Sequence, residues 1–60
     1  MKIYVNEIEV ALLPGMTVRH ALIRAGLLEE AEQGKKIFDD WGNELGLDGA
    51  LVENAKIYLK

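Results

Sequence analysis

The clearest hydrophobic pattern in the chain is a helical one, and it covers Thr17–Gly26. The apolar residues of this segment share one face: Val18, Leu22 and Ala25, with Ala21 at its margin. Such spacing predicts an amphipathic helix. Thr17 occupies the N-cap position, where its hydroxyl can accept a hydrogen bond from a free amide of the first turn. Gly26 is suited to leave the helix in a left-handed conformation.

On both sides of this helix, apolar and polar residues alternate with the period of two that half-buried strands show. The predicted strands are residues 1–5, 8–12, 35–39, 44–47 and 55–60, the fourth of them short. Turns are predicted at Asn6-Glu7, Pro14-Gly15, Asp40–Asn43, Asp48-Gly49 and Glu53-Asn54. Residues 27–34 predict a second short helical turn that Gly34 ends, and residues 50–52 are expected to reach back toward the core. This order favours an α+β fold with one sheet packed against one helix.

Composition limits the chemistry that this chain of 60 residues can perform. Its length is that of one small domain, which we place at residues 1–60. The absence of cysteine excludes disulfides, thiolate zinc sites and cysteine-ligated iron–sulfur clusters, and one histidine cannot build a histidine-rich metal site. No serine is present and Thr17 is assigned to the cap, so covalent catalysis lacks a nucleophile. We therefore expect no enzyme activity, no catalytic residue, no bound metal and no cofactor.

Charge and hydropathy restrict the partners. The net charge of −3 argues against nucleic acid, because binding to phosphates needs a basic patch. No run of roughly 18 apolar residues is present, so no segment is expected to span a membrane. The opening residues 1–5 are too few and too alternating for a signal peptide. The expectation is a cytoplasmic protein that binds a protein partner or assembles as a homo-oligomer.

Several segments together resemble the ubiquitin-like β-grasp superfamily. They are Ile3–Val5, Ile8–Leu12, the step Leu13-Pro14-Gly15-Met16-Thr17-Val18 and the closing Asn54–Leu59. The nearest similarity is to the small sulfur-carrier proteins of the thiamine and molybdopterin pathways, the ThiS/MoaD group. The resemblance implies a mixed sheet of four to five strands packed on one helix, with the first and last strands as parallel neighbours at its centre. It also implies docking of a partner on the sheet face, as is common for ubiquitin-like domains.

The resemblance does not extend to the sulfur-carrier chemistry. Carriers of that group end in a flexible Gly-Gly, whose terminal carboxylate enters a partner's active site, is adenylated and receives sulfur. The present sequence ends Ile57-Tyr58-Leu59-Lys60, in a strand pattern. Unless the chain is truncated or processed, we expect a small non-catalytic interaction module or accessory subunit. The alternatives are a sulfur-carrier-like protein substrate of a partner enzyme and a weak ligand- or metal-binding domain.

The candidate partner-binding residues lie at the strand positions opposite the core. Alternation turns four of them away from the helix: Lys2 and Tyr4 on the first strand, Lys56 and Tyr58 on the last. Parallel pairing of these strands would bring Tyr4 and Tyr58 together. Tyrosine combines a large contact area with a polar tip, which suits a binding patch. The competing interpretation is that the same contacts only stabilise an exposed sheet face.

Three further features carry weaker predictions. Trp41 in the predicted turn either anchors a partner or folds over the edge of the small core, and the second interpretation is favoured. The acidic residues of one hairpin suggest a hard-cation site, although a solvated rim is favoured: Asp39, Asp40, Glu44 and Asp48. On the outer side of the helix, His20 is expected to be merely exposed, and His20 with Ile23 forms a second candidate contact surface.

Overall fold

The five strands and two helices form an α+β domain with a mixed sheet, in a computed structural model that describes residues 1–60. The strands are β1 (Lys2–Val5), β2 (Ile8–Ala11), β3 (Ile37–Asp39), β4 (Glu44–Leu45) and β5 (Lys56–Leu59). The helices are α1 (Val18–Ala25) and α2 (Leu28–Glu32). Each predicted strand and both helical segments are present, and the helix ends agree with the predicted Thr17 and Gly26 caps.

The sheet has the strand order β2-β1-β5-β3-β4. β1 pairs with β5 in parallel, and the other pairs are antiparallel. The first and last strands are therefore parallel neighbours near the centre of the sheet, as the resemblance implied. In register, Val5 lies beside Ile57 and Tyr4 beside Lys56, so alternate residues of the two strands share each face.

The core lies between the sheet and α1. Ten buried apolar side chains form it: Ile3, Val5, Val10, Leu12, Val18, Ala21, Leu22, Ile37, Ile57 and Leu59. The predicted face of the helix supplies three of them, with Ala25 half-buried at its end. Full burial of a side chain such as Leu22 stabilises the fold by about 1.5–3 kcal/mol. No charged or polar side chain is buried among them.

Both helices end in the same hydrogen-bonded motif. In α1, Leu27 N–H donates to Leu22 O at 2.8 Å and Gly26 N–H donates to Ile23 O at 3.1 Å. Gly26 takes the left-handed conformation that this Schellman arrangement requires, with φ of 75°. In α2, the corresponding bonds from Lys35 and Gly34 reach Glu30 and Ala31. A tight reversal after each helix thus returns the chain to the sheet.

Two apolar residues that the pattern directs inward are exposed instead. Ile8 alternates with Val10 but is 47% exposed, because it follows the hairpin turn directly and lies on an edge strand with only β1 beside it. Val52 was expected to reach toward the core and is 72% exposed. In the same segment the neighbouring Leu51 is half-buried and packs against the core. Only part of segment 50–52 therefore returns to the core.

The β1–β2 turn has the predicted position and an unfavourable residue. Asn6 and Glu7 both have positive φ, 49° and 70°, as the two central residues of a type I′ hairpin turn require. Asn6 is suited to this conformation, and its Oδ1 also accepts a hydrogen bond from Leu59 N–H at 2.9 Å. The Glu7 side chain makes no hydrogen bond of this kind. Its left-handed backbone therefore carries a steric cost that nothing in the turn offsets.

Replacement of Glu7 by glycine should therefore stabilise the protein. We expect Glu7→Gly to raise the free energy of unfolding by up to about 1 kcal/mol, because glycine adopts positive φ without the Cβ penalty. Urea denaturation followed by circular dichroism measures it. Glu9→Gly, inside β2, is the matched control and should destabilise. Equal effects of the two substitutions would contradict strain at Glu7.

Candidate functional site

The face of the sheet opposite α1 carries the two tyrosines. Tyr4 lies beside Lys56 in register, and Tyr58 follows on the same face of β5. Both tyrosines are half-buried, and together they line a cavity of about 480 Å³ with Glu7, Asn54 and Lys56. Because α1 covers only the other face, these rings have no second layer of the domain above them. The structure thus brings Tyr4 and Tyr58 to one surface, where alternation predicted them.

Phe38 extends this surface and was missing from the sequence-based site. It lies opposite Tyr58 on β3, half-buried. The ammonium group of Lys60 lies 5.8 Å from the centroid of its ring, within cation–π range. Alternation contains the signal for this placement, since a buried Ile37 turns Phe38 outward. We call the surface formed by Tyr4, Tyr58 and Phe38 with the surrounding lysines the outer sheet face.

The outer sheet face is locally basic although the whole chain is acidic. Four of the five lysines point to it, by register and alternation: Lys2, Lys36, Lys56 and Lys60. Lys2 lies 4.0 Å from Glu9. The only other ion pair of the chain joins Lys35 to Glu30, away from this face. Three lysines around the aromatic rings therefore have no acidic partner within the protein.

Trp41 points into solvent, with 85% of its surface exposed. The favoured interpretation, that its ring folds over the edge of the core, is therefore wrong. The Asp39 carboxylate explains the geometry: its Oδ1 accepts the N–H groups of Trp41 and Asn43, both at 2.9 Å. Oδ2 accepts the Asn43 side-chain amide at 3.2 Å. The turn is fixed by these bonds, and it holds the indole away from the core.

Four of the five predicted binding residues line two neighbouring cavities, and Lys2 lines neither. Trp41 lines a cavity of about 430 Å³ that contains neither tyrosine. Asn54 and Lys56 line both cavities. The Tyr58 hydroxyl donates to Asp40 Oδ1 at 3.4 Å, a long hydrogen bond that links the outer sheet face to the Trp41 turn. Lys2 lies at the start of β1, where its backbone N–H donates to Glu53, a residue that lines the Trp41 cavity.

The acidic hairpin does not assemble a cation site. No group of three or more histidine, aspartate or glutamate side chains in the chain is placed to hold a metal ion. Both carboxylate oxygens of Asp39 already accept hydrogen bonds within the β3–β4 turn. The backbone hydrogen bond from Asn43 is the largest cause that lowers the pKa of Asp39, and bonds from the Asn43 side chain, Trp41 and Gly42 act in the same direction. Desolvation, which is the second-largest cause, opposes them.

His20 has a structural role that the sequence interpretation overlooked. Thr17 N–H donates to His20 Nδ1 at 3.0 Å, and Thr17 Oγ1 lies 3.1 Å from the same nitrogen. His20 thus takes the place of the glutamate in a capping box. The Thr17 side chain faces the His20 backbone amide, but no hydrogen bond of ordinary geometry joins them. Ile23, 52% exposed on α1, has no comparable partner.

Comparison with known proteins adds no relative: no family model matches the chain, and neither a curated protein nor a solved structure matches it significantly. The helices are also too short and too polar for any of them to cross a bilayer. Function is therefore inferred from the geometry of this chain alone.

The cap at His20 can be tested by substitution. His20→Ala removes the acceptor for Thr17 N–H and should cost about 1 kcal/mol in the free energy of unfolding. His20→Glu restores an acceptor at the same position and adds a favourable charge near the N-terminus of the helix, so it should recover at least that loss. Ile23→Ala, exposed on the same helix, is the control. Equal stability of the alanine and glutamate variants would contradict the capping role.

The lowered pKa of Asp39 predicts acid-sensitive order in the β3–β4 turn. A folded-state pKa below the unfolded one means that the contribution of this carboxylate to stability is present above the unfolded pKa and is lost as pH falls through the folded one. NMR titration should show the amide signals of Trp41 and Asn43 shifting together, with a midpoint below the ordinary aspartate pKa. In Asp39→Asn this shared transition should disappear. A midpoint at or above the ordinary value would contradict the assignment.

Proposed function

We propose that this protein is a β-grasp domain that acts as a non-catalytic protein-interaction module and binds its partner through the outer sheet face. The β-grasp assignment is supported by the parallel pairing of β1 with β5 at the centre of a five-stranded sheet. The proposal takes the fold from the resemblance and leaves the sulfur-carrier chemistry aside. It assigns no catalytic residue, metal or cofactor.

The observation that carries the proposal is the row of three aromatic rings across β1, β5 and β3. Tyr4, Tyr58 and Phe38 lie on one face that no other element of the domain covers. Aromatic residues supply much of the binding energy in protein interfaces, because they bury a large area and order few rotatable bonds.

The charge around the rings indicates the kind of partner. Lys36, Lys56 and Lys60 form no ion pair within the chain, so acidic side chains of a partner would find free counter-charges at the rim. We propose a partner protein with an apolar patch bordered by aspartate or glutamate. Such complementarity accelerates association and makes it sensitive to salt. Aromatic rings flanked by lysine also suit single-stranded nucleic acid, but the net charge of −3 opposes that polyanion.

A double substitution tests the proposal. The wild-type protein captures partners from its native lysate, and each candidate is then purified and titrated against the isolated chain. Tyr4→Ser/Tyr58→Ser should weaken the purified complex by more than about tenfold, since buried interface tyrosines commonly contribute 1 kcal/mol or more each. Ile23→Ser, on the opposite side of the domain, should leave affinity unchanged. Circular dichroism of all variants verifies that they remain folded.

Mapping of the complex gives an independent readout. Amide shift changes on addition of the partner should cluster on β1, β5 and β3, and raised salt should slow association. A footprint on α1 or on the β2 edge would overturn the proposal. Tighter binding of a single-stranded oligonucleotide than of any captured protein would overturn it as well.

A further inference from the structure

The cavity beside Trp41 is a second surface with its own character. It lies between the β3–β4 turn and residues 50–57, and we call it the Trp41 groove. Its apolar lining consists of Trp41, Leu45, Ala50, Leu51, Val52, Ala55 and Ile57. Trp41 and Val52 are the most exposed large apolar side chains of the chain, and both face this one groove. Asp39 fixes the backbone of the turn that carries Trp41.

The polar lining of the Trp41 groove is predominantly acidic. It contains the carboxylates of Asp39, Asp40 and Glu53 and a single basic group, Lys56. None of these carboxylates forms an ion pair. Glu53 Oε2 accepts the backbone N–H of Lys2 at 2.8 Å, and Asp40 Oδ1 accepts the long bond from Tyr58. The second oxygen of Asp40 and that of Glu53 have no partner in the protein.

We propose that the Trp41 groove binds an arginine side chain presented by a segment of a partner protein. An arginine has an apolar three-carbon stem and a planar cationic head, and the stem can lie along apolar surface while the head stays at a polar rim. The groove offers both parts, with Val52 and Leu51 for the stem and free carboxylate oxygens for the head. A guanidinium also stacks on an indole face, which a compact ammonium does less well.

The Trp41 groove and the outer sheet face therefore select opposite charges, and the inference does not depend on the proposed function. Lysines without ion pairs surround the aromatic rings of the sheet, whereas Asp40 and Glu53 each bring one unpartnered carboxylate oxygen to the lining of the Trp41 groove. The volume of about 430 Å³ is at the lower end of ligand-binding cavities, so it suits one side chain better than a folded surface.

The sole tryptophan makes the binding directly measurable. Trp41 emission is recorded during titration of the intact protein with three blocked tripeptides, acetyl-Gly-X-Gly-amide with X as arginine, citrulline or glutamate. Citrulline has nearly the shape of arginine without its charge. We expect saturable binding of the arginine peptide, about fivefold tighter than that of the citrulline peptide and weakened by salt. Equal affinity for arginine and citrulline, preference for glutamate, or no saturable change with the arginine peptide would overturn the proposal.

Matched substitutions locate the site. Asp40→Asn should weaken binding of the arginine peptide by about threefold while leaving the citrulline peptide unaffected. Asp48→Asn removes the same charge outside the groove and should change neither affinity. Val52→Ser alters a side chain that is already exposed, so it should weaken both peptides without unfolding the domain. Equal effects of the Asp40 and Asp48 substitutions would overturn the assignment to this groove.

Discussion

The parallel pairing of β1 with β5 is the contact on which the rest of the structure depends. It places the first and last strands side by side, and their inward residues make up the middle of the core. α1 can cover this core because the β1–β2 hairpin supplies the other part of its floor. The Asn6 side chain reinforces the pairing, since it joins the hairpin turn to the backbone of β5. Alternation along β1 and β5 then determines which of their side chains point away from the core.

The small size of the core explains which side chains lie on the outer sheet face. With only ten buried residues and no cysteine, the domain cannot spare inward strand positions for polar groups. The large aromatic residues at outward positions are therefore surplus to the core. Trp41 is the extreme case, because the turn that holds it is stabilised by Asp39 and not by burial of the indole. Large apolar side chains that do not contribute to the core are the best candidates for binding a partner.

Local signals were enough to predict most of the fold. The helix with its caps, the hairpin turn at Asn6-Glu7 and the alternating strands each depend on residues close in sequence. The exposure of Ile8, Val52 and Trp41 depends on which element lies above them, which no local pattern contains. His20 and Phe38 were overlooked for a different reason. Thr17 and His20 have capping-box spacing with an unusual acceptor, and Phe38 follows from a buried Ile37 by simple alternation.

The same central pairing has a consequence for synthesis. Among the elements of these 60 residues, β1 is synthesised first and β5 last. Until β5 is released, one hydrogen-bonding edge of β1 remains open, and the hydrophobic core lacks Ile57 and Leu59. Unpaired edges of this kind invite association with other nascent chains. The domain therefore completes its fold only after translation of β5.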